Sequence, residues 1–239
     1  MTSKARLFYE NELKVGIISK LSDSQSHYIK NVMRLKPGDK IYLFNSSNGE
    51  WEASILNHNN NLIEFEVEKL SRTQVEEHNL WLAFSPIKKN YQDFMFEKTT
   101  ELGIQKFIPL LCDRSIVKEI NVDRAKKIIN EASEQSNRIS VPEILKIQNF
   151  KNFLKNFPSN GHIVFCDINT NSNNLKNILF KKTPICILVG PEGDFSENER
   201  QLIVDHKNTV SFSLAKNILR AETAAIAATT ILSFQLSSG

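Results

Sequence analysis

Pro184-Ile185-Cys186-Ile187-Leu188-Val189-Gly190-Pro191-Glu192-Gly193 is the stretch that decides the fold of this chain. The run from Pro184 to Val189 is apolar without alternation, as in a buried strand of a parallel sheet. It stops abruptly in Gly-Pro-Glu-Gly, a turn that lets backbone groups approach a ligand with no side chain in the way. Asp194 follows, a residue that tolerates left-handed backbone angles better than most. Further on, Ile218-Leu219-Arg220-Ala221-Glu222-Thr223-Ala224 opens a long Ala-rich helix. Its start offers free N–H groups, and Arg220 and Glu222 read as surface residues there. The two segments read as two walls of a pocket for a small polar cofactor. The first is neither a GxGxxG dinucleotide fingerprint nor a P-loop, because no Gly-Lys-Ser/Thr follows.

Working outward, strands and helices alternate from residue 80 onward. Strands are expected at Leu80–Phe84, Phe107–Cys112, His162–Cys166, Ile185–Val189 and Thr209–Phe212. Helices are expected at Tyr91–Leu102, Asp123–Gln135, Ser196–His206 and Ala221–Leu236. Tyr91, Phe94, Met95 and Leu102 read as one apolar face. Ser196 and Glu199 have capping-box spacing. Such alternation implies an α/β fold, a parallel sheet with helices on both faces. The last helix is apolar nearly all round, which buries it in its own core or against a partner. Asn169 to Asn177 reads as a loop leading into a short helix.

Residues 1–70 read differently: short, alternating and strand-rich. Strands are expected at Leu13–Ser19 and Lys40–Phe44, and a hairpin at Trp51–Leu56 and Leu62–Val67. One helix interrupts them, with Ser22 as N-cap and His27 to Met33 behind it. A small β-barrel with one helix fits the pattern. The polar stretch Ser71 to Asn79 is the expected linker.

The chain has 239 residues, 41% hydrophobic and 24% charged, enough for a core without staples. Cys112, Cys166 and Cys186 each sit in an apolar run and read as reduced, buried thiols. No His or Cys spacing suits a metal, so none is expected. The start is polar, with no signal peptide, and no run approaches the ~18 apolar residues of a membrane span. The expectation is a soluble, cytoplasmic protein. A net charge of +3 permits an RNA partner without arguing for one.

Two further segments complete a set of four. The third is Lys98-Thr99-Thr100-Glu101-Leu102-Gly103 with Pro109 and Arg114-Ser115. The fourth is Glu131-Ala132, Gln135-Ser136, Arg138 and Pro142-Glu143-Ile144. Each alone passes for a helix end or a strand. In this order, with Gly190-Pro191-Glu192-Gly193, Phe195, Glu199 and Leu219-Arg220-Ala221-Glu222-Thr223-Ala224, they resemble the bacterial 16S ribosomal RNA uridine-N3 methyltransferase family of the SPOUT superfamily. Val32 to Asp39 resembles that family's first domain. Asp194, Ala215 and Asn217 depart from its pattern, which has glycine at the first two and often arginine at the third.

The resemblance implies a PUA-like RNA-binding β-barrel over residues 1–72 and a SPOUT methyltransferase domain with a trefoil knot over 73–239. It implies S-adenosylmethionine as cofactor, held by Leu188, Gly190, Pro191, Glu192, Gly193, Leu214, Asn217, Ile218, Leu219, Arg220 and Thr223. It implies a homodimer acting on 16S ribosomal RNA or the small ribosomal subunit. Methylation at a uridine nitrogen removes a proton, so donors that stabilise the developing anion are needed. Arg114 and Arg138 are the candidates, since arginine presents a planar fork of donors. Glu101 is a proton acceptor, an orienting group, or one half of an ion pair between helices. Arg6, Lys30, Arg34 and Lys36 are expected to form a phosphate-binding patch. Residues 1–72 carry ten Lys or Arg and nine Asp or Glu, so that patch requires clustering.

Overall fold

Alternating sequence in the first third makes a small sheet. The computed structural model describes residues 5–59, 62–74, 78–170 and 183–237. Its chain divides into two units, Met1–Glu76 with Ser133–Val141, and Glu77–Ala132 with Pro142–Gly239. The first holds β1 (Arg6–Phe8), β2 (Ile18–Lys20), α1 (Asp23–His27), a wider π-helical turn at Tyr28–Val32, β3 (Lys40–Asn45), β4 (Gly49–Asn59) and β5 (Leu62–Arg72). The sheet order is β1-β3-β4-β5-β2. β1 runs parallel to β3, and the other pairs are antiparallel. Alternate residues Ile63, Phe65 and Val67 of β5 turn inward onto Ile41, Leu43, Ala53 and Ile55.

Ser22 caps α1 in a reciprocal capping box with Gln25. The helix begins at Asp23, directly after the expected cap, and gives way to the π-helical turn from Tyr28. The strand expected from Leu13 is regular only from Ile18; Gly16, at φ +81°, turns the chain before it, although Gly16 and Ile17 already bond to Val67 of β5. Glu50 is buried between Arg6 and Arg72, which both donate to its carboxylate. Burial alone would raise this carboxyl's pKa, but the two guanidiniums outweigh it and hold it below its usual value. A depressed carboxyl contributes stability above its unfolded-state pKa. That stability is lost as pH falls through the lower folded value.

The second unit holds β6 (Leu80–Phe84), α2 (Lys89–Glu101), β7 (Lys106–Leu111), α3 (Val122–Gln135, ending in the first unit), β8 (Glu143–Ile144), β9 (Gln148–Asn149), α4 (Phe150–Asn156), β10 (His162–Cys166), β11 (Ile185–Val189), α5 (Glu197–Asp205), β12 (Thr209–Phe212) and α6 (Ala221–Ser237). The strand order is β12-β10-β11-β6-β7-β8, all parallel, and β9 pairs with the far end of β7. β11 is buried along its whole length between β10 and β6. The chain builds outward from β6 to β8, then returns to fill the other side. Where the order reverses, the C-terminal strand ends leave a crevice.

Two helices correct the sequence reading. The face Tyr91, Phe94, Met95 and Leu102 is not the buried face of α2; Gln92, Met95, Phe96, Thr99 and Thr100 are. The Thr99 hydroxyl donates to the Met95 carbonyl, so its polar atom is satisfied on its own helix. Phe96 meets Phe84 and Phe107 edge-on, and Phe94 stays 48% exposed. α4 was not expected, yet Phe150, Phe153, Leu154 and Phe157 have helical spacing and pack beside Phe165 and Phe195. α6 buries the small stripe Ala224, Ala225, Ala228 and Thr229, with Leu232, and packs against α2. The loop expected at Asn169–Asn177 and the start of the short helix after it fall, over residues 171–182, outside the described residues. Among the described residues, no helix is long and apolar enough to cross a membrane.

Candidate functional site

The loop after β11 is held by its own bonds. A Cβ on Gly190 would lie 2.7 Å from the ring of Phe195, so only glycine fits without a shift. That ring is buried against Phe150 and Phe165, with centroids 5.5 Å away in each case. Asp194 takes φ +60°, as its residue type allows. Its N–H donates to the Pro191 carbonyl at 2.9 Å, and its carboxylate accepts the Phe195 N–H at 2.8 Å. Ser196 and Glu199 close the expected capping box on α5. The other Glu199 oxygen accepts the Asp113 N–H, Ser196 donates to the Asp113 carboxylate, and Arg114 donates to the Gly193 carbonyl at 3.0 Å. The segment after β7 thus clamps the loop.

The facing wall is Ser213–Arg220. Ala215, Lys216, Asn217 and Arg220 are exposed, and Ile218 is 84% exposed. α6 then begins, with the Ala224 N–H on the Arg220 carbonyl. The Arg220 guanidinium lies over the ring of Tyr91, 5.3 Å from its centroid.

Between the walls is a cavity of about 430 Å³. Val189, Gly190, Pro191, Glu192 and Asp194 line one side, and Ile218, Leu219, Arg220 and Ala221 the other; Cys166, Ile168, Lys88, Tyr91, Glu222 and Ala224 complete it. A smaller hollow of about 70 Å³ adjoins it, reached by Leu214 and Asn217 and sharing Cys166, Ile168, Ile218, Leu219 and Ala224. Of the expected cofactor residues, Gly190, Pro191, Glu192, Ile218, Leu219 and Arg220 therefore meet at the larger cavity, and Leu214 and Asn217 at the smaller. Leu188, Gly193 and Thr223 line neither. Leu188 is locked inside the sheet, and Thr223 points out from α6.

Lys88, Tyr91, Cys166, Ile168, Asp194 and Glu222 line the cavity and were not among the expected ligands. Tyr91, expected on the apolar face of its helix, is exposed. Glu222, read from the sequence as a surface residue, is 92% buried (8% relative exposure). Burial pushes the Cys166 thiol up to about 12, so it stays protonated. Among the described residues, no cluster of His, Cys, Asp or Glu could hold a metal ion.

The other expected residues are not among those that line the cavity. Arg114 is exposed beside the loop it anchors. Glu101 pairs with Lys98 on its own helix, not with a second helix. It ends α2, whose opposite end carries Lys88 and Tyr91 to the cavity, so Glu101 does not reach it. Arg138 belongs to the first unit and is buried, with Nη2 on the Ser140 hydroxyl at 2.8 Å. Arg6 is not a surface phosphate ligand. Its guanidinium is committed to Glu50, to the carbonyls of Ser133, Glu134 and Arg138, and to the face of Phe44. Lys30, Arg34 and Lys36 remain exposed, on the π-helical turn and just after it.

Residues 75–233 match the family model described as an RNA methyltransferase domain, and residues 21–68 match an RNA methyltransferase PUA domain. The chain belongs to the RNA methyltransferase family. Ribosomal RNA small subunit methyltransferase E of Rickettsia conorii is 36% identical over 212 residues, covering 87% of this chain and 85% of that protein. The protein of the same name in Buchnera aphidicola (subsp. Schizaphis graminum) is 31% identical over 235 residues, covering 95% and 94%. The crystal structure of the Neisseria gonorrhoeae protein of that name, bound to S-adenosyl methionine, superposes with a TM-score of 0.88 at 28% identity, covering 98% of each chain. A volume of about 430 Å³ suits a nucleoside-sized ligand. Apolar Val189, Ile218 and Leu219 suit a purine, and the carboxylates of Glu192 and Asp194 suit a cation. The residues present in this RNA methyltransferase fit S-adenosylmethionine.

Proposed function

We propose that this RNA methyltransferase transfers a methyl group from S-adenosylmethionine to N3 of a uridine in 16S ribosomal RNA. The observation that supports this reading best is the single cavity formed by Gly190–Glu192 with Asp194 and by Ile218–Ala221, in the two segments singled out by sequence. On this reading they are the loops that the family ties into a trefoil knot. When bound, S-adenosylmethionine supplies an electrophilic methyl on a sulfonium. The chain's own residues do the rest. Gly190, Pro191, Leu214, Ile218 and Leu219 bind the nucleoside part through backbone and apolar contact. Arg114, anchored through one nitrogen to Gly193, turns its remaining donors toward the uracil oxygens and stabilises their developing charge.

Target RNA is held by the first unit, with Lys30, Arg34 and Lys36 on phosphates. The working form is a cytoplasmic homodimer, and exposed Phe94 and Phe234 supply apolar surface for it. The test is incubation of the purified chain with S-adenosylmethionine and small ribosomal subunits lacking the modification, followed by nucleoside mass spectrometry. New N3-methyluridine in 16S RNA is expected. Methyl transfer to another nucleoside, or none, would contradict the assignment. Arg114→Ala is expected to keep cofactor affinity and lose about 10²-fold in rate, the scale of one preorganised donor.

A further inference from the structure

A buried carboxylate is costly unless a donor or a function compensates it. Glu222 is such a group. It is 92% buried (8% relative exposure) in the first turn of α6 and lines the cavity, and among the described residues no hydrogen bond or ion pair engages its carboxylate. The other acidic residues of the cavity differ. Asp194 is occupied by the Phe195 N–H and by Asn169, and Glu192 is exposed on the rim. Arg220 and Lys88 line the same cavity and bring positive charge to it.

We propose that Glu222 is the catalytic base that takes the N3 proton of the target uridine, an inference that rests on the methyl-transfer reading above. The N3–H bond breaks and its proton passes to a Glu222 oxygen. The freed nitrogen pair forms the new bond to the methyl carbon. The carbon–sulfur bond breaks with its electron pair left on sulfur, giving a neutral thioether, and Glu222 returns its proton to water. Arg220 and Lys88 offset negative charge on the uracil oxygens during the step.

The experiment compares wild type, Glu222→Gln and Glu222→Asp in two measurements. Calorimetric titration with S-adenosylmethionine reads cofactor affinity. Single-turnover methylation of small subunits at saturating cofactor reads the chemical step. Glu222→Gln should bind S-adenosylmethionine within about threefold of wild type and lose roughly 10²-fold or more in rate, the scale of a general base. Glu222→Asp, with its carboxylate withdrawn by one methylene, should fall between the two. A Gln variant with wild-type rate overturns the proposal. So does one whose affinity collapses while its rate at saturation survives, since Glu222 would then hold the cofactor. If Glu222→Gln does not fold, Glu222→Asp decides alone: undiminished rate overturns the assignment, and slowed transfer with intact affinity upholds it. Failure of wild type to bind S-adenosylmethionine would instead defeat the cavity reading itself.

Discussion

The two walls of the cavity are built to different standards. Gly190–Ser196 is fixed from within: a buried phenylalanine, a closed turn, a capping box and an arginine clamp all act on seven residues. Ser213–Arg220 is exposed along most of its length, and its own hydroxyl bond, Ser213 to the Ala215 carbonyl, is 3.5 Å long. The difference teaches that one wall is preorganised and the other is held by few bonds of its own. Few buried contacts and exposed backbone are the marks of a segment with low local stability. Binding energy spent on ordering the second wall then appears as lost affinity, not lost fold.

Substitutions should separate the walls. Phe195→Ala removes the ring on which the first wall rests and is expected to cost about 3–5 kcal/mol of stability in chemical denaturation. A loss under about 1 kcal/mol would show that the wall stands without it. Gly190→Ala forces a methyl against that ring, and an overpacking cost of about 1–3 kcal/mol should accompany weaker cofactor binding. Ser196→Ala, which removes the α5 cap and its bond to Asp113, should cost about 1 kcal/mol in the same assay. Ile218→Ala on the second wall should change stability by less than about 0.5 kcal/mol, as exposed sites do. Its S-adenosylmethionine dissociation constant should nevertheless rise about three- to tenfold, equivalent to about 0.7–1.4 kcal/mol of lost contact. If Ile218→Ala destabilised the fold as much as Gly190→Ala, the contrast between the walls would be gone.

The same contrast explains what the sequence could tell. The first wall announces itself because its constraints are local: an apolar run that must be a strand, glycines that must be glycine, and Ser-x-x-Glu that must cap. β6, β10, β11 and β12 were legible to the residue for the same reason. The second wall carries no such constraint: only the start of the Ala-rich helix at Ile218–Ala224 marks it in the sequence, and resemblance extends it back to Leu214. Tertiary context defeated the reading elsewhere. Thr99 and Thr100 took the buried face of α2 from Phe94, and Glu222 went inward where helix periodicity allowed it to face out. Arg6 reads as a free surface cation because its partner Glu50 lies 44 residues away in sequence, and no local pattern links them. β8 and β9, with two residues each, are too short to carry a period.

The central claim is that the segments after Val189 and after Phe212 enclose one methyl donor. Hydrogen–deuterium exchange with and without saturating S-adenosylmethionine tests it most directly. Amides of 190–195 and 214–220 should both gain protection, the second more than the first because it is the less ordered. Protection of only one segment, or of neither, would contradict the claim.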